Sequence, residues 1–400
     1  MTKQFRYVAK KPSGQNISGI IEAEDKNKAV ELLHKNELTI ITLKEEKRLG
    51  KVRKGKVSLD DLAIFSRQLA TMVDSGIALV HCLEILGEQS ESKTLVDVSL
   101  KIQSDIESGK NFYDCLAQHP YVFSELYISM VKAGEVSGKL NEILERLAEY
   151  LEKTSALQRK IRSSLIYPAV VISMALIITS ILLLKVVPTF KGIFESLGGT
   201  LPLPTQILLA ISDIFRRYFI FVFLSFIVFI FLLKKYISTP KGRYKFDRLL
   251  LNLPIFGILV KKVAVAKFTR TLATLVRSGV PIINALTIVG KTSGNKIVEE
   301  AVVNAAMSVK EGEPISGPLL RSKVFPPMVV RMISVGEQTG ELEKMLNKIA
   351  DFYDSQVDAA VSGLTSMIEP IVIGFLGIII GGIVVALFLP IFKITELLGK

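Results

Sequence analysis

The sequence predicts an all-α integral membrane protein. It has two related cytoplasmic helical bundles, three transmembrane helices and a small α+β unit at the amino terminus. Three observations carry that expectation: three long apolar runs almost free of charge, an internal duplication, and basic residues gathered at the flanks of the runs. The chain has 400 residues, of which 49% are hydrophobic and 22% charged, ordinary values for a globular protein. Mean hydropathy is nonetheless +0.41, and the excess lies in residues 168–187, 218–233 and 370–392. That distribution excludes a simple soluble enzyme.

The first run, Pro168 to Val187, is broken only by Lys185. About twenty residues at 1.5 Å each give roughly 30 Å, one hydrocarbon thickness, and a lysine near the end can carry its ammonium into the headgroups. The second run, Tyr218 to Leu233, lies between Arg216-Arg217 and Lys234-Lys235. About sixteen residues reach only roughly 24 Å, so flanking residues must complete a crossing. The third, Pro370 to Phe392, can span with tilt. Any one run alone would also read as a buried core helix.

Basic residues set the orientation. Lys153, Arg159, Lys160 and Arg162 precede the first run; Lys234, Lys235, Lys241, Arg243, Lys245 and Arg248 follow the second. The intervening stretch 188–217 carries only Lys191, Arg216 and Arg217. The expected plan is a cytoplasmic unit at 1–50, a bundle at 51–167, a span at 168–187 and an outer loop at 188–217. A second span at 218–233, a second bundle at 234–369, a third span at 370–392 and an outer tail at 393–400 complete it. The amino terminus has no apolar core followed by a small-residue cleavage site, so the first segment is expected in the cytosol.

Residues 65–86 and 268–289 are identical at ten of twenty-two positions, including Arg67 with Arg270, Ser75 with Ser278 and Gly76 with Gly279. Gly134-Glu135-Val136-Ser137-Gly138 later matches Gly336-Glu337-Gln338-Thr339-Gly340, and Ser164–Pro168 matches Ser366–Pro370. Shared amphipathicity alone would not give this much identity. In the first copy Ser58, with Asp60 and Asp61 behind it, caps a helix carrying Leu62, Phe65, Leu69 and Met72. Gly76 and Gly279 end that helix in each copy. Further helices are expected over 78–90, 92–108 and 124–133, then a long one from about Leu140 towards Ser163 that feeds the first span. Pro168 and Pro370 mark the two membrane boundaries, where proline kinks a continuing helix.

Before the bundles, Phe5–Lys10 and Ile17–Ala23 alternate apolar with polar around a Pro12-Ser13-Gly14 turn. Ala29–Leu33 then reads as helix and Thr39–Leu43 as strand, giving a ββαβ unit. Lys44–Lys56 follows with seven basic and two acidic side chains. It reads as a solvated linker, or as a contact for anionic headgroups or an acidic partner.

Little here points to chemistry. The Gly134–Leu140 stretch falls one residue short of a phosphate-binding loop, has Leu140 where a hydroxyl is needed, and has Glu341 in place of Lys139 in the second copy. It reads instead as a helix corner, with Gly134 as a left-handed stop and Ser137 or Thr339 capping the next helix. A corner alone does not call for glutamate, so Glu135 and Glu337 become candidate partner contacts. His34, His81 and His119 form no metal-spaced pair, and Cys82, opposite Ala285 in the other copy, behaves as a small core residue. Neither cysteine lies in a Cys or His cluster, so no catalytic, cofactor or metal residues are assigned. The basic charge lacks interleaved aromatics, so nucleic acid is not expected. Glu369 at the third span reads as hydrated or capping, with an ion ligand as the alternative. Gly374, Gly377 and Gly381 form a small-residue face suited to helix packing within or between protomers.

Taken together, the duplicated Ser-Gly and Gly-Glu-x-x-Gly signatures with three spans resemble the inner-membrane platform proteins of type IV pilus and type II secretion machines, the PilC/GspF family. The likeness covers nearly the whole chain, including Leu201-Pro202-Leu203-Pro204-Thr205. Val324–Val329, Val335–Gly340, Lys348–Tyr353 and Leu389–Phe392 are similar to the pilus branch in particular. The resemblance implies a non-enzymatic platform in the bacterial inner membrane, without cofactor. It would couple a cytoplasmic assembly or retraction ATPase to pilin subunits, beside inner-membrane alignment proteins, and is plausible as a homodimer. Type II secretion is the alternative role; a transporter or channel is a further one, although the repeat lies mostly outside the spans.

Overall fold

The structure is a computed structural model that describes residues 3–10, 16–36, 38–46, 55, 57–196, 202–254 and 256–398. The Pro12-Ser13-Gly14 turn, most of the basic stretch 44–56, Leu201 and the chain end at 399–400 lie outside the described residues. The described chain is mostly helical and divides into two compact units, Met1–Leu151 and Glu152–Lys400.

The first unit opens with strands β1 (Lys3–Lys10) and β2 (Asn16–Ala23), helix α1 (Lys26–Lys35) and strand β3 (Thr39–Glu46). Strand β1 is central, antiparallel to both neighbours, with a register shift between Val8 and Ala9. Asp25 caps α1 by accepting from the Lys28 amide at 2.7 Å. Ala9 and Leu38 bury against Leu33 of α1, which ties the helix to the sheet.

A bundle follows: α2 (Leu59–Asp74), α3 (Leu79–Gln89), α4 (Lys93–Glu107), α5 (Phe112–Ala117), α6 (Glu125–Ser137) and the start of α7 (Leu140–Ile181). Ser58 and Asp61 form a full capping box on α2, satisfying amides at both ends of the first turn. Phe65, Phe123 and Tyr127 stack in the core, with ring centroids 6.3 Å apart for the first pair and 4.9 Å for the second.

In the second unit α7 passes without interruption through Pro168, turns into a π-helical stretch at Leu182–Val186, and continues as α8 (Val187–Ser196). Helix α9 (Leu203–Ile237) and α10 (Pro240–Asn252) come next. Then the bundle plan recurs as α11 (Phe256–Arg277), α12 (Ile282–Thr292), α13 (Lys296–Lys310), α14 (Ser316–Ser322), α15 (Pro327–Thr339) and α16 (Leu342–Leu398). Phe268 and Phe325 repeat the Phe65–Phe123 contact, at 4.6 Å.

Among the described residues two helical stretches, Leu140–Phe190 and Leu342–Leu389, are long and apolar enough to cross a membrane. The 218–233 run lies inside α9. The stretch 188–217, expected as a loop, is helical at both ends. The cause is packing: Leu208 and Leu209 of α9 bury against Leu183, Val187, Ile383 and Leu387, and only a helix presents both at once.

The left-handed residue at each corner is Gly138 (φ 70°) or Gly340 (φ 73°), not Gly134. Gly134 and Gly336 are helical and buried, and absence of a side chain is what they supply. A Cβ on Gly134 would come within 2.9 Å of Ile143, and one on Gly336 within 2.9 Å of the Leu342 backbone. Ser137 and Thr339 do not cap the next helix; their hydroxyls donate back to Gly134 and Val335 carbonyls.

Two outcomes follow. Gly336→Ala should destabilise the purified protein by about 1–3 kcal/mol, since the Leu342 backbone must move, whereas Gly363→Ala in open space on α16 should be neutral or slightly stabilising; thermal unfolding in detergent separates them. Burial pushes the Tyr127 hydroxyl from 10.0 up to about 12. The unfolded chain therefore ionises this group first, so its contribution is complete below pH 10 and is lost as pH rises towards 12. At roughly 1.4 kcal/mol per unit the loss is about 2–3 kcal/mol. Tyr127→Phe should flatten that part of the alkaline stability slope relative to wild type.

Candidate functional site

The duplicated corners are built alike in the two copies. The α5 and α14 helices each begin with backbone amides that no helical carbonyl can reach. Glu135 reaches across from α6: its carboxylate accepts from Phe112 N at 2.8 Å and Tyr113 N at 3.0 Å. Glu337 does the same from α15, accepting from Ile315 N at 2.5 Å and Ser316 N at 3.1 Å. Two oxygens meet two adjacent donors, an arrangement that needs a carboxylate on a side chain of glutamate length. That is a physical reason for the same residue in both copies. Beside it, Val136 is 77% exposed and Val335 is also exposed.

The repeated arginines brace the last helix of each bundle. Arg67 on α2 donates to Glu145 on α7 at 2.5 Å. Arg270 on α11, whose side chain is only 10% exposed, pairs with Asp351 at 3.1 Å and with Asp354, both on α16. Ser75 and Ser278 stand just past the ends of the same helices, each donating to a carbonyl four residues back. Gly76 (φ 81°) and Gly279 (φ 76°) then turn the chain out.

Within the second unit the two long helices are joined at two places. Lys160 of α7 and Asp358 of α16 form an ion pair at 2.6 Å. At the other end of the apolar stretches, α9 ties to both helices. Thr205 Oγ1 donates to the Ala386 carbonyl and Ser212 Oγ to the Leu183 carbonyl, both at 2.5 Å and both buried. Leu183 belongs to the π-helical stretch, where widened helical turns alter the i→i−4 pattern and leave a carbonyl open to a side-chain donor. Local sequence rules do not single out Thr205 and Ser212. Two small hydroxyl residues seven apart in an apolar helix were the available signal.

Among the described residues nothing packs on Gly374, Gly377 or Gly381: a Cβ on any of them would meet nothing within 4 Å. The face of α16 that buries is the one carrying Ile383, Ala386 and Leu387. Pro168 and Pro370 lie within continuous helices.

Among the described residues neither cysteine is poised as a nucleophile. Cys82 and Cys115 are buried, and burial pushes both thiols up. Burial lowers His119, and His81 pairs with Glu84 at 3.0 Å. Among the described residues no three His, Cys, Asp or Glu side chains cluster as metal ligands do. What the arrangement can do is mechanical: it holds two long helices at both ends of their apolar stretches.

Removing a corner carboxylate leaves two amides without their acceptor, so Glu135→Ala or Glu337→Ala should cost about 1–3 kcal/mol. Hydrogen exchange should quicken first at Phe112 and Tyr113, or at Ile315 and Ser316, while Glu341→Ala leaves those amides unchanged.

Comparison with known proteins agrees with the repeat. The Type II secretion system (T2SS), protein F, profile matches residues 65–188 and again 268–390, and the profile of the protein F N-terminal domain matches 1–44. The chain is 43% identical to the type IV pilus assembly protein PilC of Myxococcus xanthus, over 98% of this chain and 95% of that one. It is 44% identical to PilC of Thermus thermophilus, over 99% of each. It is also 33% identical to the type II secretion system protein F of Vibrio cholerae, again over 99% of each. With both halves matched and full-length relatives above 40% identity, the chain belongs to the type II secretion system protein F family, which includes the PilC proteins of type IV pili.

Proposed function

We propose that this protein is the non-enzymatic inner-membrane platform of a type IV pilus assembly machine, coupling a cytoplasmic ATPase to the insertion or removal of pilin subunits. The observation that carries the reading is that each bundle ends in a helix that continues unbroken into an apolar stretch, α7 after the first and α16 after the second. Relatives 43% and 44% identical over nearly their whole length and named type IV pilus assembly protein PilC support the reading.

In this reading α7–α8, α9 and α16 cross the membrane, with 218–233 as the second crossing, and both bundles face the cytosol. A push on a bundle then moves a helix that the Arg67 or Arg270 brace grips, and the Thr205 and Ser212 hydrogen bonds share the displacement among the spans. The surfaces around Glu135 and Glu337, with Val136 and Val335 exposed beside them, are the candidate motor contacts; the carboxylates shape those surfaces from within. Pro168 and Pro370 sit where a bend would direct the motion, and the open Gly374–Gly377–Gly381 face supports a homodimer through α16.

The likeness to protein F of Vibrio cholerae favours secretion as the second reading. Deleting the gene while motor and pilin levels stay normal should abolish surface pili and leave protein secretion intact. Loss of secreted proteins with pili retained would transfer the protein to the secretion branch. The full-length protein in detergent should also co-purify with the pilus motor ATPase at low salt. Cysteine labelling that placed residues 241–366 outside the cell would end the platform reading, because no internal motor could then reach them.

A further inference from the structure

Helix α10 and the start of α11 form a corner between α9 and the second bundle. The two helices meet at an angle of 109°. Glycines permit the close approach at either end of α10: a Cβ on Gly242 would collide with the Tyr236 carbonyl oxygen where α9 gives way to α10, and one on Gly257, at the corner, would lie 2.5 Å from the Leu251 oxygen. Thr239 caps α10 by accepting from Gly242 N at 3.1 Å. The inward face is anchored as well. Asp247 is buried, accepts from Lys296 N at 2.8 Å and pairs with Arg243, whose guanidinium also donates to the Gly294 carbonyl at 3.0 Å.

The outward face is the reverse of what a bundle shows to water. Leu249 and Ile258 are each 58% exposed and Phe256 is 46% exposed, with Leu253 between them, all within ten residues of chain. Lys241, Lys245 and Arg248 lie exposed on one side of this apolar tip and Lys261 on the other. The sequence has no Asp or Glu from Arg248 to Val298, and Asp247 is turned inward. Only Ser238 and Thr239 separate α10 from α9, which ends in the exposed Lys234-Lys235 pair beyond its apolar run.

We propose that the α10–α11 corner is an interfacial wedge. Leu249, Leu253, Phe256 and Ile258 enter the acyl boundary of the cytoplasmic leaflet, and Lys241, Lys245, Arg248 and Lys261 rest on anionic lipid phosphates. Charge complementarity and continuity with α9 select a bilayer over a protein partner: bases flank an apolar tip on a helix that begins two residues after an apolar one. The wedge would hold the second bundle at a set distance from the membrane, giving the motor a footing against which α16 can move. This rests on α9 crossing the bilayer, and the test separates the two.

The full-length protein, with Cys82→Ala and Cys115→Ala, is reconstituted in vesicles of phosphatidylcholine with or without phosphatidylglycerol. Single environment-sensitive labels are placed through Leu253→Cys, Ile258→Cys, Ile230→Cys in α9, or Met307→Cys on the exposed face of α13. Brominated lipid should quench most of the emission at 253 and 258 and little at 307, with aqueous iodide giving the opposite pattern. Quenching by brominated lipid at 253 should be stronger with phosphatidylglycerol, and that gain should vanish in Lys241→Gln/Lys245→Gln/Arg248→Gln. Iodide access at 253 and 258 equal to that at 307, with 230 still in lipid, overturns the wedge while sparing the crossing. Shielding from both quenchers means a protein covers the corner and also overturns it. Equal depth in both vesicle types overturns the role of anionic lipid. Iodide access at 230 with 258 in lipid overturns the crossing by α9 and leaves the wedge standing.

Discussion

The structure depends on backbone hydrogen bonding that cannot be interrupted inside hydrocarbon. An unpaired amide or carbonyl there costs several kcal/mol, so a helix that enters the apolar layer must continue through it. Helices α7 and α16 meet that demand by being the same helices that finish the bundles. No hinge of irregular chain separates bundle from span. In the proposed platform, a force on a bundle would reach the apolar stretch through continuous helical backbone.

The other contacts attach to these two helices. Gly134 and Gly336 let α6 and α15 lie close against their first turns, while Gly138 and Gly340 provide the reversal in front of them. Arg67 and Arg270 grip them further along, and Lys160 with Asp358 links them to one another. The Thr205 and Ser212 hydroxyls of α9 complete the set. Each contact is modest in energy; their value lies in spacing. A helix held at two distant points transmits displacement, whereas one held at a single point pivots.

The duplication kept some parts and exchanged others, and the division follows chemistry. The glutamate clamp, the left-handed glycines and the phenylalanine pair recur because each answers a geometric requirement that other side chains meet poorly. The Ser66–Tyr127 hydrogen bond does not recur: Val329 stands at the place matching Tyr127, and Thr269 turns its hydroxyl to its own helix instead. The arginine brace recurs in kind but changes partner, from Glu145 to Asp351 and Asp354, since a guanidinium accepts a carboxylate from several nearby positions.

Much of this was legible in the residues alone. Helix ends near Gly76 and Gly279, the order of the bundle helices and the apolar run that ends each copy follow from local rules of capping, periodicity and length, which act within a few residues. Other features were not. Whether Gly134 turns the chain or admits a neighbour depends on Ile143 lying against it, and the need for Glu135 depends on amides twenty-two and twenty-three residues away. The helicity around 188–217 arises from burial against α7 and α16, and Thr205 and Ser212 acquire meaning only from carbonyls on other helices. Sequence determined where the bundle helices end and which segments are oily, because those are properties of neighbours along the chain. Tertiary structure decided which polar group meets which, because that requires segments far apart in sequence to be brought within 3 Å.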